Sequence, residues 1–260
     1  AAINRVPRRM IAGAVQAELD AAGAAGGAEV IVSIPGGAER ARRTFNPLLG
    51  IEGGLSVLGT SGVVEPMSEQ AIVDTIGVEL RQAFCACPQG RLILTPGNYG
   101  ADFLAANGLD ALGVPVVRCS NFIGEALDMA AAEGFSAVLL VGHIGKLVKL
   151  AGGIMNTHSR SADCRTELFC AHAAAAGAST ALCRALLDVP TTDACIALLD
   201  TAGLRAAVLD SLTSAAQRHL ERRAAGAYRV GVKLFSNEYG PLGASPAALE
   251  LIGQWRNDRQ

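Results

Sequence analysis

Two of the four histidines, His143 and His158, fall in one short window, 138–160, beside Lys146, Lys149, Ser159 and Arg160. An imidazole titrates near neutral pH, so each is a candidate general acid or base, anion ligand or metal ligand. Lysine and arginine hold carboxylates and phosphates through charge-assisted hydrogen bonds. Lys146 and Lys149, three positions apart, share one face of any helix they occupy. A plainer reading stands beside each: a hydrogen-bonded histidine at a strand end, a loop histidine capping the next helix, a solvated cationic face. His172 stands at the head of an alanine-rich helical run and reads as structural. His219, among Arg218, Glu221, Arg222 and Arg223, reads as part of a solvated helix face. The spacing of the four histidines matches no metal motif.

The segments that would carry these side chains alternate between strand and helix. An apolar run from Ala137 to Val141 has the length of a buried strand and ends in Gly142-His143-Ile144-Gly145-Lys146. Similar strand patterns cover 29–34, 55–58, 91–94 and 114–118, and a last one covers 228–235. Helices are expected from Pro7 to before Gly23, from Ser68 to about Cys87, up to Asn107 and up to Glu133. Ser68 is a natural N-cap and Glu69 suits the first turn. From Ser161 to Ala225 the pattern is helical, with breaks near Gly177, Pro190 and Gly203, and a short helix starts at Ala247. Such alternation predicts an α/β fold with a mostly parallel, Rossmann-like sheet and a helical C-terminal region. We divide it at 160: residues 1–160 form the α/β part with the ligand loops, and 161–260 add helices, a final strand and a helix.

Four strand exits are rich in Gly, Ser, Thr and Asn: Gly59-Thr60-Ser61-Gly62, Pro96-Gly97-Asn98-Tyr99-Gly100, Ser120-Asn121, and 142–146. Each alone is ordinary turn chemistry. Together on the carboxyl edge of a parallel sheet they predict a pocket for a carboxylate, ribose or phosphate. Leu147 stands where a phosphate-binding loop needs Ser or Thr after its lysine, and no full dinucleotide fingerprint occurs. An unrelated nucleotide- or phosphate-directed enzyme is therefore the weakest alternative.

Composition narrows the classes further. The 260 residues carry a formal net charge of −2, and 50% are hydrophobic. Mean hydropathy is +0.32, raised by alanine and glycine. No apolar run reaches the ~20 residues of a membrane helix. The balance of charge does not fit a basic nucleic-acid binder. Seven cysteines lie in scattered apolar or helical contexts, and Cys85-Ala-Cys87 lacks a second pair, so they read as reduced thiols of a cytoplasmic protein. No metal site is expected.

The long string Thr44-Phe45-Asn46-Pro47-Leu48-Leu49-Gly50-Ile51-Glu52-Gly53-Gly54, continuing through Gly59-Thr60-Ser61-Gly62 to Ser68, resembles the cobalt-precorrin-5B C1-methyltransferases of anaerobic cobalamin biosynthesis. So do Leu94-Thr95-Pro96-Gly97-Asn98-Tyr99-Gly100, Ser120-Asn121-Phe122-Ile123-Gly124 and the stretch from Val141 to Arg160. The likeness covers nearly the whole chain and weakens after about Ala178. It implies transfer of a methyl group from S-adenosylmethionine to C1 of a cobalt-precorrin, giving cobalt-precorrin-6A. It also implies an N-terminal portion preceding Ala1, and partners among other enzymes of the corrin pathway, with oligomeric state open. On this footing Thr60, Ser61, Gly62, Glu65, Gly97, Asn98, Tyr99, Ser120 and Asn121 are expected to hold the donor, with Asp102 as a further candidate. Lys146, Lys149, Ser159 and Arg160 are expected to bind the carboxylates of the corrinoid. His143 and His158 are expected to act on, or orient, the macrocycle. A non-catalytic corrinoid-binding or handover module is the alternative.

Overall fold

The computed structural model describes residues 3–42, 44, 51, 53–57, 62, 68–97 and 99–259. Two compact units divide between Glu79 and Leu80. In the first, α1 (Arg5–Ala21) and the short α2 (Gly37–Ala41) are the described helices before α3 (Glu69–Ala86), whose last turns belong to the second unit. Ser68 Oγ accepts from the Ala71 amide at 3.3 Å, the cap expected from its type. No strand forms over 29–34: Ile31 is 80% exposed and Val30 is exposed too. β-branched composition needs a neighbouring strand to pack against, and no ladder reaches this segment. Of the pattern at 55–58, Val57 makes an isolated bridge with Ile3 and Leu58 lies outside the described residues.

The second unit is a five-stranded sheet. Its elements are β1 (Arg91–Thr95), α4 (Tyr99–Ala106), β2 (Val116–Arg118), α5 (Ile123–Glu133), β3 (Ala137–His143), α6 (Ile144–Leu147), α7 (Arg165–Ala175), α8 (Thr180–Asp188), α9 (Thr192–Thr201), α10 (Arg205–Ala224), β4 (Arg229–Ser236), β5 (Gly240–Ala244) and α11 (Pro246–Asn257). The strand order is β2-β1-β3-β4-β5. The pairs β1–β2, β1–β3 and β3–β4 are parallel, with Leu92 opposite Val138 and Leu139 opposite Gly231. β5, unforeseen in the sequence pattern, returns antiparallel to β4 after a tight turn. The helical stretch 165–224 is thus the crossover from β3 to β4 within one unit.

Leu92 to Leu94 and Val138 to Val141 are fully buried. Both faces of the central strands are covered, which is why these strands read as continuous apolar runs rather than alternating ones. One face packs α4 and α11, through Phe103, Leu104, Leu251 and Trp255, onto Ile93, Leu139 and Phe235. Phe103 stacks on Phe235 with centroids 4.1 Å apart. Gly231 lets α11 approach: a Cβ there would lie 2.5 Å from the Ala248 backbone. On the opposite side α10 is tied to α5 by Arg223, whose guanidinium meets Asp128 at 2.9 and 2.6 Å and the Gly124 carbonyl at 3.1 Å. The region read as a solvated face is therefore partly a seam. His219, too, is half-buried, its ring within 3.1 Å of where a Gly153 side chain would begin.

Candidate functional site

In the order 2-1-3 the chain leaves β1 for one side of the sheet and returns to its other side. The carboxyl ends of β1 and β3 then splay their loops apart, and this switch point is where open α/β sheets place ligands. The exits of β1, β2 and β3 meet there, and Lys146 touches all three. It sits in α6, directly after β3. Its Nζ donates to Asn121 Oδ1, from the β2 exit, at 2.8 Å. It also occupies the space beside Gly97, from the β1 exit, where a Cβ would come within 3.3 Å of it. Gly97 has φ +86°, so glycine suits this turn twice over. Lys146 is half-buried, and among the described residues no carboxylate pairs with it. Burial pulls its pKa below the ordinary lysine value; the buried Cys119 thiol opposes that pull and Lys149 adds to it. Cys119 itself is pushed up to about 12 by burial. It is a neutral thiol, not a nucleophile.

Around Lys146 opens a cleft of about 290 Å³, lined by Asn121, Gly145, Lys149, Thr157, His158, Ser159, Asp163 and Arg165. The segment 155–157 lies along the β2 exit. The Gly124 amide donates to the Met155 carbonyl at 3.2 Å, and the Thr157 amide to the Asn121 carbonyl at 2.9 Å. Ser120, on that exit, holds φ +51°, a conformation uncommon for a side chain.

The two histidines have the same tautomeric logic. His143 caps α6, its Nδ1 accepting from the Gly145 amide at 3.0 Å. His158 Nδ1 accepts from the Arg160 amide at 3.1 Å. With Nδ1 used as acceptor, each neutral ring carries its proton on Nε2 and presents a donor. Burial holds His143 below its ordinary pKa, with Asp193 opposing. Its ring meets Phe235 edge-on at 5.6 Å and lies 6.4 Å from Tyr99. Asp193, in the first turn of α9, accepts from Ser236 Oγ at 2.7 Å. This arrangement favours a neutral His143 that donates over one that abstracts a proton.

The expected residues thus sort into groups. Asn121, Lys146, His158 and Ser159 line one cleft with Lys149, while Gly97, Tyr99, Ser120 and His143 sit on the neighbouring strand exits. Lys149, in the 3₁₀ turn Val148–Gly152, faces the protein interior and not a solvated helix surface: it is 3% exposed and bonded to two carbonyls. Arg160 is exposed, and its amide serves His158. Gly62 lies in the first unit, outside the five-stranded sheet, so the fourth glycine-rich exit is not an exit of that sheet. Thr60, Ser61, Glu65 and Asn98 lie outside the described residues. Asp102 is exposed in the first turn of α4. Sequence reading passed over Arg165 as a lining residue; its only signal was the charge pair with Asp163 two positions earlier. Among the described residues no group of three or more His, Cys, Asp or Glu side chains could hold a metal ion, and no helix is long and apolar enough to cross a membrane.

Comparison with known proteins adds a family. Residues 1–66 match the family model described as CbiD, and residues 156–246 match that of the CbiD C-terminal domain. A protein of Ruminiclostridium cellulolyticum named cobalt-precorrin-5B C(1)-methyltransferase is 45% identical over 91% of this chain and 61% of its own length. A namesake from Alkaliphilus metalliredigens is 38% identical over 96% of this chain and 65% of its own. One from Moorella thermoacetica is 40% identical over 99% of this chain and 69% of its own. The chain therefore spans roughly two thirds of the length of these relatives. No solved structure matches it.

Proposed function

Because the chain belongs to the CbiD family, we propose that it serves the reaction for which its relatives are named: methylation at C1 of cobalt-precorrin-5B, giving cobalt-precorrin-6A, with S-adenosylmethionine as donor. The observation that carries the reading is Lys146, a half-buried cation at the switch point, held by a neutral amide and unpaired with any carboxylate among the described residues. A lysine in that state is matched to an incoming anion, and a corrinoid bears several peripheral carboxylates.

Methyl transfer to carbon is an in-line displacement, so the protein's part is positioning rather than covalent chemistry. The bound donor supplies the electrophilic methyl group. Gly97, Tyr99, Ser120 and Asn121 offer the small, amide- and hydroxyl-bearing edge at which it would sit; Gly62 is a donor candidate by its motif alone. Thr60, Ser61, Glu65 and Asn98 are candidates from the same motifs. Lys146 and Ser159, which line the cleft, with the exposed Arg160, would take corrinoid carboxylates. His143 and His158, each with Nε2–H outward of its Nδ1 bond, would donate to substrate oxygens and orient the macrocycle. No protein nucleophile is needed, in keeping with the neutral Cys119.

Calorimetric titration of the chain with S-adenosylhomocysteine tests the donor assignment. Micromolar binding at one site per chain supports it. Absence of binding to folded protein overturns placement of the donor site on this chain. Titration with the corrinoid alone tests the other half: binding that Lys146→Met does not weaken overturns the role of Lys146.

A further inference from the structure

Three positions beyond Lys146 lies a second lysine that the proposed chemistry does not use. Lys149 is 3% exposed, and a buried ammonium is costly unless its protons find acceptors. An ammonium has three N–H donors. Here three acceptors surround it: the carbonyl of Thr157 at 3.2 Å, that of Ala162 at 2.7 Å, and Asp163 Oδ1 at 3.8 Å. The two carbonyls take hydrogen bonds, and Asp163, beyond hydrogen-bond length, is held by charge alone. Lys146, by contrast, spends one donor on Asn121.

The three acceptors have a meaning as a set. They bracket one loop, 157–163, which carries His158 and Ser159 into the cleft. Within that loop the amide of Arg160 bonds His158 Nδ1, and those of Ser161 and Ala162 reach the His158 carbonyl at 3.0 and 3.4 Å. No regular ladder runs through it. Its near end is tied to Asn121 through the Thr157 amide. Its far end is tied by Asp163 to Arg165, with Nε and a terminal nitrogen at 2.5 and 3.0 Å. Cys164 follows at φ +52°, a conformation that persists only where its surroundings over-determine it.

We propose that Lys149 is a positioning residue that clasps both ends of the 157–163 loop from the interior, so that His158 and Ser159 stand in the ligand cleft, and that it touches no ligand itself. The proposal rests on the reading above for the identity of the ligand, but the clasp is a property of the free protein.

The test compares the wild-type chain with Lys149→Met, which keeps the buried stem and removes the donors. Hydrogen–deuterium exchange is read without ligand, and KM and kcat are then read with cobalt-precorrin-5B. Amides of 158–162 should exchange about tenfold faster in the variant while β3 and α10 keep their protection. The KM should rise about tenfold, with kcat changed less, as expected when loop order is lost from binding. Unchanged loop exchange with a raised KM would make Lys149 a ligand contact and overturn the proposal. Lost protection throughout β3 and α10 would make it a core residue and overturn it equally. Asp163→Asn, which loosens only the half-exposed arm of the clasp, guards against a variant that fails to fold: its exchange should rise at 160–162 alone, and no rise there overturns the far tie. Faster loop exchange in a chain whose wild type binds no corrinoid would keep the clasp and refute the assigned ligand.

Discussion

The helical turn at 144–147 and the turn and loop at 148–163 are adjacent in sequence and carry one lysine each, yet they differ in what they do with it. Among the described residues Lys146 gives one hydrogen bond, to a neutral amide, and pairs with no carboxylate, and burial disfavours its charge. Lys149 gives two hydrogen bonds to loop carbonyls and has its charge balanced by Asp163. The first is arranged for a ligand and the second for the protein. What separates them is the set of acceptors each meets: the Asn121 amide oxygen at Lys146, and two loop carbonyls with a carboxylate nearby at Lys149. A shared residue type therefore says little about role until the acceptors around each side chain are counted.

Removing the Lys146 cation should break the comparison most sharply. Lys146→Met should cost about 10- to 100-fold in kcat/KM for the corrinoid, the worth of a charge-assisted hydrogen bond, with the melting temperature nearly unchanged. Equal losses of activity and stability would mean that Lys146, like Lys149, is a structural cation. Displacing Lys146 without deleting it comes next. Gly97→Ala forces a side chain into positive φ and against Nζ, and should cost about 1–2 kcal/mol of stability and weaken corrinoid binding as well, read by denaturant unfolding and by titration. If binding is untouched, the β1 exit does not position the lysine.

A smaller effect is expected far from the cleft. Arg223→Met removes the α5–α10 tie, and because both partners are partly exposed it should cost only about 0.5–1 kcal/mol, with cleft binding intact. Coupled loss of binding would show that the two regions are not independent. The mildest probe is pH. Burial lowers the pKa of both His143 and His172, so the unfolded chain binds the proton more readily than the folded one. The stability these rings contribute is present above about pH 6.5 and is lost as pH falls through the ordinary histidine value toward the lowered one. His172 bonds Ser211 at 2.8 Å, away from the cleft residues, so His172→Gln should flatten the acid slope of the melting temperature without altering ligand affinity.

Much of the second unit was legible because its strands are short apolar runs closed by glycine and asparagine turns. β1, β3 and the helices 165–175 to 205–224 fall where periodicity and glycine breaks put them. The antiparallel β5 was missed: Gly-Pro-Leu-Gly-Ala has neither alternation nor β-branched residues, and only pairing with β4 extends it. Residues 29–34 erred the other way, since Val30-Ile31-Val32 has strand composition and no strand beside it. Of the candidate site, His143, Lys146, His158 and Asn121 were singled out from type and position, because ligand-binding loops follow strands. The burial of Lys149 and the entry of Arg165 were not, since both depend on how the chain turns back at Gly153 and Cys164, two positive-φ positions.

What the sequence determined by itself is the alternation of strand and helix from Arg91 onward, the family, and the polar residues available at each strand end. Those are written in local pattern and long specific strings. Only the tertiary structure decided the strand order that makes the exits of β1 and β3 a switch point, the Nδ1 bonds that leave Nε2–H as the histidines' donors, and which lysine is spent. Strand order and the acceptors around each lysine join positions apart in the chain, and even the short-range Nδ1 bonds depend on distance and direction in space, which the order of residues along the chain does not specify.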